Sequence, residues 1–229
     1  MAVTLRAVIF DSPDPAVAGR FWARLLDREE VSEAGGILLP GSPTQVGLRF
    51  IEPHGSATGR RLHLRVTSTD LGERDATVLR VTDLGGRHHD AGQLPVEQHI
   101  VLADPGGNEF CVIEPGNAYL AGCGRLGEVA CDGTREVGQF WSAVLGWPLV
   151  WDRDEETAIQ SPAGGTKIAW GGPPLAEKTG PNPQRFELAS DDLAADLDRL
   201  VGLGAGLRHT DPDGAILADP DGNEFRLTG

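Results

Sequence analysis

Two near-identical peptides hold the residues best placed to do chemistry. LADPGGNEF (Leu102–Phe110) and LADPDGNEF (Leu217–Phe225) each carry an acid, Glu109 or Glu224, followed two positions later by Cys111 or Arg226. Residues two apart on an extended strand face the same way, so each acid shares a sheet face with the residue that follows it. A carboxylate on such a face can serve as general base or bind a cation. The other reading puts both acids at a rim, paired with an arginine or a backbone donor. DPxGN itself reads as a turn: Asp bonds backbone downstream, Pro sets φ, Gly permits positive φ and Asn tolerates a left-handed conformation.

Other chemistry is sparse. GGRHHDAG brings His88, His89 and Asp90 together, but with no ligands at a recognisable metal spacing it reads as a solvated turn. His54, His99 and His209 are isolated. No G-x-S-x-G, phosphate-binding loop or dinucleotide fingerprint is present. Cys111, Cys123 and Cys131 are odd in number and lack CxxC spacing, so they read as reduced thiols. A net charge of −14 without clustered Lys or Arg argues against nucleic acid. Acidity raises the local concentration of cations, although solubility is its commoner cause. No apolar run approaches the roughly 20 residues that span a bilayer. MAVTLRAVIFDSPDP lacks the features of a secretory signal. The expectation is a soluble cytoplasmic protein that meets neither membrane nor nucleic acid.

The elements that must position these residues also recur. DPAVAGRFWARLLDRE (Asp14–Glu29) matches GTREVGQFWSAVLGWP (Gly133–Pro148), with Phe21-Trp22 over Phe140-Trp141. Val137, Phe140, Trp141, Val144 and Leu145 follow helical spacing, with Thr134 as N-cap and Gly146 as stop. In the first copy Asp14 and Pro15 form the cap and first turn. Ser68–Gly86 and Ser190–Gly206 give two more helices, the latter with an apolar stripe of Leu193, Leu197, Leu200 and Val201. Each helix follows an alternating strand and precedes short strand-like runs. The unit of strand, helix and about three strands starts near Thr4, Arg61, Gly127 and Arg185. The 229 residues therefore divide into 1–115 and 127–229, linked by the Gly- and Ala-rich segment 116–126. Trp22 and Trp141 belong to the core. Trp147, Trp151 and Trp170 are the better candidates for lining a pocket.

Four such units, the FW helices, the LGW exit at Leu145–Trp147 and the repeated ADPxGNEF resemble a tandem glyoxalase-like protein of the vicinal oxygen chelate superfamily. That superfamily includes glyoxalase I, extradiol dioxygenases and the fosfomycin and bleomycin resistance proteins. The resemblance implies an α+β fold of four βαβββ units with curved mixed sheets, forming two tandem glyoxalase-like domains with one cup each. It also implies a divalent metal in active members, held by residues on the first and last strands of each unit. First-strand positions fall on Ala7, His63, Glu128 and Arg185, and last-strand positions on Cys111 and Arg226; Glu52 is the one acid near the last-strand positions that cannot be placed.

By this resemblance His63, Glu109 and Cys111 line the first cup, with His63 and Glu109 as candidate metal ligands. Glu128, Arg185, Glu224 and Arg226 line the second. There two guanidinium groups oppose a divalent cation and suit an anionic or carbonyl-rich ligand. The expected function is small-molecule binding in a metal-poor cup, for sequestration or a metal-free transformation. The alternative is a metal-dependent lyase, isomerase or dioxygenase acting in the first domain. Two domains in one chain can supply the unit pairing that shorter relatives obtain by dimerising, so both monomer and homodimer are open.

Overall fold

Described in a computed structural model are residues 3–53, 61–90, 92, 98–175 and 177–229; His54 lies outside them. The first unit comprises β1 (Thr4–Asp11), α1 (Pro15–Leu26), β2 (Val31–Glu33), β3 (Gly36–Leu39) and β4 (Leu48–Ile51). The second has β5 (Leu62–Val66), α2 (Leu71–Asp83), β6 (Arg87–His88), β7 (Ile100–Ala103) and β8 (Glu109–Val112). In the third are β9 (Leu126–Cys131), α3 (Arg135–Leu145), β10 (Leu149–Arg153), β11 (Glu156–Gln160) and β12 (Lys167–Trp170). The fourth runs through β13 (Gln184–Ala189), α4 (Leu193–Gly202), β14 (Gly206–Asp211), β15 (Gly214–Ala218) and β16 (Glu224–Thr228). Four βαβββ units are thus present, and no helix among the described residues is long and apolar enough to cross a membrane.

Local sequence explains the helix starts. Asp14, Asp70 and Asp192 each accept a backbone N–H of the first turn, from Val17, Glu73 and Ala195 respectively. Thr134 differs. It occupies the N-cap position of α3 but accepts no capping bond; instead its N–H and hydroxyl donate to Asp221 at 2.7 and 3.1 Å. Gly146 stops α3 in the left-handed conformation, φ 67°. The stripe expected on α4 is narrower than its spacing suggests, because Leu200 is buried whereas Val201 is exposed.

The units pair across the halves, and this corrects the expectation of one cup per half. One eight-stranded sheet runs β14-β15-β16-β13-β1-β4-β3-β2, joining units one and four. The other runs β10-β11-β12-β9-β5-β8-β7-β6, joining units three and two. Charge on the central rungs gives the physical reason. As observed, Ala7 lies opposite Glu187, and Arg65 opposite Glu128. Pairing within halves in the same register would place Glu128 opposite Glu187, two like charges on one rung, and leave Arg65 facing Ala7.

What joins each half is the helix layer. Trp22 on α1 and Trp141 on α3 are buried, and their indole N–H groups donate to Asp104 at 3.0 Å and Asp219 at 3.4 Å. Trp22 also meets Phe110 edge-on at 4.9 Å, and Trp141 meets Phe225 at 5.0 Å. Fully burying one such ring is worth roughly 3 kcal/mol. A single apolar cluster runs through both halves, from Val8 and Phe10 to Phe225 and Leu227.

The repeated peptide is therefore a tether. Asp104 accepts from the backbone N–H and side-chain amide of Asn108 at 2.8 and 3.0 Å, and Asp219 is bonded in the same way by Asn223. Gly107 and Gly222 supply the positive φ, 82° and 80°. The Asn residues work differently from expectation: they bond the turn aspartate and reach across to the other sheet. Asn108 accepts from Gln184 at 3.3 Å and Asn223 from Arg61, at the start of the other sheet's β5, at 3.1 Å; Asn223 also accepts from Asn182, which leads into β13 of its own sheet, at 3.0 Å.

Candidate functional site: one open cup and one filled one

On each sheet the strand faces turned away from the helices carry the candidate residues. In the second sheet β5, β8, β9 and β12 lie side by side. His63 faces Ala130 across β5 and β9, Ala130 faces Ala169 across β9 and β12, and Glu109 sits beside His63. The next rung reads Cys111, Arg65, Glu128, Lys167. Over these rungs opens a cavity of about 520 Å³, lined by His63, Arg65, Glu109, Glu128 and the small Ala130 and Ala169, with Tyr119 and Trp151 at its side.

Segment 116–126, expected as a linker, closes one end of this cup. Its Leu120 and Cys123 are buried, and with Tyr119 they pack against Val101, Cys111 and Ile113. The Tyr119 hydroxyl donates to Glu128 Oε1 at 2.8 Å, and Lys167 donates to the Tyr119 carbonyl while its Nζ stands 4.0 Å from the ring centroid. Glycine and alanine made the segment read as flexible. Its apolar residues Tyr119, Leu120 and Cys123 dock it instead, helped by turns at Gly116, Gly122 and Gly124 with φ near 80°.

Electrostatics divide the cup in two. At the closed end the buried Glu128 carboxylate is held between Tyr119 and Arg65, whose Nη1 lies 2.8 Å from Oε2. Burial and the Glu128 charge push the Tyr119 phenol well above its ordinary range. Towards the open end, burial and the charges of Arg65 and His99 push His63 down to about 4, so its imidazole is neutral at physiological pH. Glu109 lies 3.4 Å from His89 Nε2. The expected solvated turn at His88–Asp90 is thus partly strand, β6, with His89 reaching the rim of the cup.

The donor set does not fit a resident divalent cation. His63 and Glu109 are neighbours, but their rung continues into Ala130 and Ala169, which bind nothing. Glu128 is engaged by Arg65 and Tyr119, and Cys111 is buried against the docked segment. Among the described residues no group of three or more His, Cys, Asp or Glu side chains could hold a metal. The guanidinium of Arg65 further opposes one. Glu52 is not in the cup; it lines a shallow depression with Asp14 and Pro15 at the start of α1.

The first sheet carries the remaining candidates, Arg185, Glu224 and Arg226, so Glu128 does not share their cup as expected. Ile9 faces Arg185 on one side and Arg49 on the other, and Arg226 lies opposite Glu187. Nearly every charge there has an opposite partner at hand. Arg49 binds the fully buried Glu187, with Arg6 also within 3.5 Å of it. Arg6 reaches Glu33 at 2.6 Å, Arg185 reaches Asp11 at 2.9 Å and Arg226 grips Asp211 with two bonds of 2.8 and 3.0 Å. Lys178 holds Glu224 at 2.7 Å. Arg185 and Arg226, expected to hold an anionic ligand, are neutralised within the protein.

Of the aromatic candidates, Trp151 lines the cup and meets Tyr119 edge-on at 5.8 Å. Trp170 touches the cavity but is buried in the core, and Trp147 packs at the core margin. Sequence reasoning missed Arg65, Tyr119, Ala130 and Ala169. Arg65 was within reach, two residues beyond His63 and hence on the same face; the alanines carry no signal of their own.

The glyoxalase-like domain model matches residues 7–113 and 128–228, so the chain belongs to the glyoxalase-like domain family, within the vicinal oxygen chelate superfamily. Glyoxalase I from Zea mays has a similar fold: 12% identity, TM-score 0.65, covering 99% of this chain and 92% of that one. A glyoxalase/bleomycin resistance protein/dioxygenase family enzyme from Burkholderia phytofirmans PsJN matches 48% of this chain and 96% of its own at 16% identity, TM-score 0.41. No curated protein matches in sequence.

Proposed function

We propose that this glyoxalase-like protein binds a small organic molecule in the cup of the second sheet, without a resident divalent metal, for sequestration or for metal-free chemistry. The observation that carries this reading is the contrast on one pair of equivalent rungs. Ala130 and Ala169 leave a cavity of about 520 Å³ where the first sheet places Ile9 and Arg49. That volume lies in the range of small-molecule sites. His63 offers a neutral imidazole, while Glu128, Tyr119 and Arg65 form a rigid polar wall.

A thermal-shift screen of a small-molecule library on the wild type and on Ala130→Leu in parallel tests the reading. Leucine points into the open cavity, so compounds that stabilise the wild type are expected to lose their effect on a variant that melts near the same temperature. Equal responses from both proteins would overturn the site. Stoichiometric Ni, Zn, Mn or Fe in protein purified without chelator, lost in His63→Ala, would overturn the metal-free part.

A further inference from the structure

Among the described residues, none hydrogen-bonds the His63 imidazole, although the half-buried side chain lines the cup. His63 alternates along β5 with the buried Leu62 and Leu64, so its ring shares the cup face with Arg65. A polar group withdrawn from water in this way calls for a partner, and the cavity is where one can enter.

The charged groups around it are already engaged inside the protein. Arg65 Nη1 lies 2.8 Å from Glu128, Glu109 lies 3.4 Å from His89, and Arg61 and Asp132 have partners of their own. The faces of Tyr119 and Trp151 hold Lys167 and Arg153. Glu156 is exposed at the rim, where water and salt screen it. A free ion would have to displace one of these contacts to find its counter-charge, and would lose hydration on the way in.

What remains is a pattern of donors and acceptors. A neutral imidazole carries one N–H and one bare nitrogen, whereas a guanidinium only donates. Burial and the charges of Arg65 and His99 keep His63 in its neutral form. Glu128 takes Nη1 of Arg65, whose side chain stays 37% exposed, so its other N–H groups reach the cavity. One strand face thus offers an acceptor nitrogen at His63 and donors at Arg65, two residues apart. A carboxylate or ketone matches only the donors, and an ammonium only the acceptor. A neutral amide matches both.

Resting on the binding function proposed above, we infer that the second-sheet cup takes a neutral amide carried on a compact apolar body. The amide N–H donates to the bare ring nitrogen of His63, its carbonyl accepts from Arg65, and the body lies on Ala130 and Ala169. Replacing the amide N–H, or ionising the group, removes half of this match.

Calorimetric titration with three probes that differ in one terminal group tests this: phenylacetamide, phenylacetone and phenylacetate. The amide is expected to bind roughly fivefold tighter than the ketone, the effect of one neutral hydrogen bond, and at least about tenfold tighter than the carboxylate. His63→Leu should bring the amide down to the level of the ketone while changing the ketone less than about twofold. His63→Gln, whose side-chain oxygen still accepts, should keep most of the gap. Equal binding of amide and ketone, tightest binding by phenylacetate, or an amide advantage that survives His63→Leu overturns the ligand class while leaving the cup as a site, provided Ala130→Leu abolishes binding. Binding of none of the three, or binding that Ala130→Leu leaves intact, overturns the ligand class and counts against the site as well.

Discussion

The two sheets are built from the same unit pairing, yet one face is open and the other is filled. On the second sheet the rung through His63 continues into Ala130 and Ala169; on the first the equivalent rung through Arg185 continues into Ile9 and Arg49. On the next rung, Glu128 faces Arg65 and receives Tyr119, while Glu187 faces Ala7 and is closed over by Arg49 and Arg6. Side-chain volume and charge neutralisation at a few equivalent positions thus separate a face with an open cavity from one carrying a load of internal ion pairs. Duplicated architecture does not imply duplicated function.

The largest expected effect strikes the filled face. Glu187→Ala leaves Arg49 and Arg6 without their buried partner and should cost about 3–5 kcal/mol in denaturant unfolding, with no change in ligand affinity per folded molecule. Glu128→Ala should cost less, about 1–2 kcal/mol, because the Arg65 side chain is 37% exposed and can turn to water. It should nevertheless abolish ligand binding in the cup. The reverse ranking of the two variants, in stability or in binding, would erase the distinction between the faces.

His63 sharpens the contrast through pH. Its folded pKa, about 4, lies below the ordinary 6.5, so the folded state binds fewer protons than the unfolded chain between these values. Stability is therefore present above pH 6.5 and is lost as pH falls through 4, by about 3 kcal/mol in total. His63→Gln should remove that slope, and an NMR titration of the His63 ring should give a midpoint near 4. A midpoint at 6 or above would contradict the described burial.

The two tethers should also differ. Asp104 accepts the Trp22 indole at 3.0 Å, whereas Asp219 accepts Trp141 at 3.4 Å and burial raises its pKa. Asp104→Ala should cost about 2 kcal/mol, and Asp219→Ala less, because the bond from the Trp141 indole is longer than that from Trp22. Equal losses in thermal or denaturant unfolding would contradict the difference.

Smallest is the contribution of Asp211, which Arg226 holds down to about 2. Its share of stability is present above pH 4 and fades as pH falls through 2, and Arg226→Gln should flatten that acid limb without touching the cup.

Much of this was legible in the sequence. The repeated ADPxGNEF, the FW helices and the alternating strand runs ahead of each helix already define four units and their order, because apolar periodicity and turn chemistry are local properties. Which units share a sheet is not local: the same alternation suits pairing within or across halves. Only the rung charges, Glu128 against Arg65 rather than Glu187, separate the two. His63 and Glu109 were found together, but Glu128 joined them only once the sheets were known. Tyr119 was hidden in a Gly- and Ala-rich stretch whose docking depends on tertiary contacts. Alanine at a cup floor gives no sign in sequence that its neighbours leave space above it.

The most direct test of one working cup is a crystal soaked with a compound that stabilises the wild type but not Ala130→Leu. The expected result is difference density over Ala130 and Ala169, beside Trp151, with the Glu187–Arg49 face of the first sheet unchanged. Density on that first face, with the second-sheet cavity empty, would contradict the account.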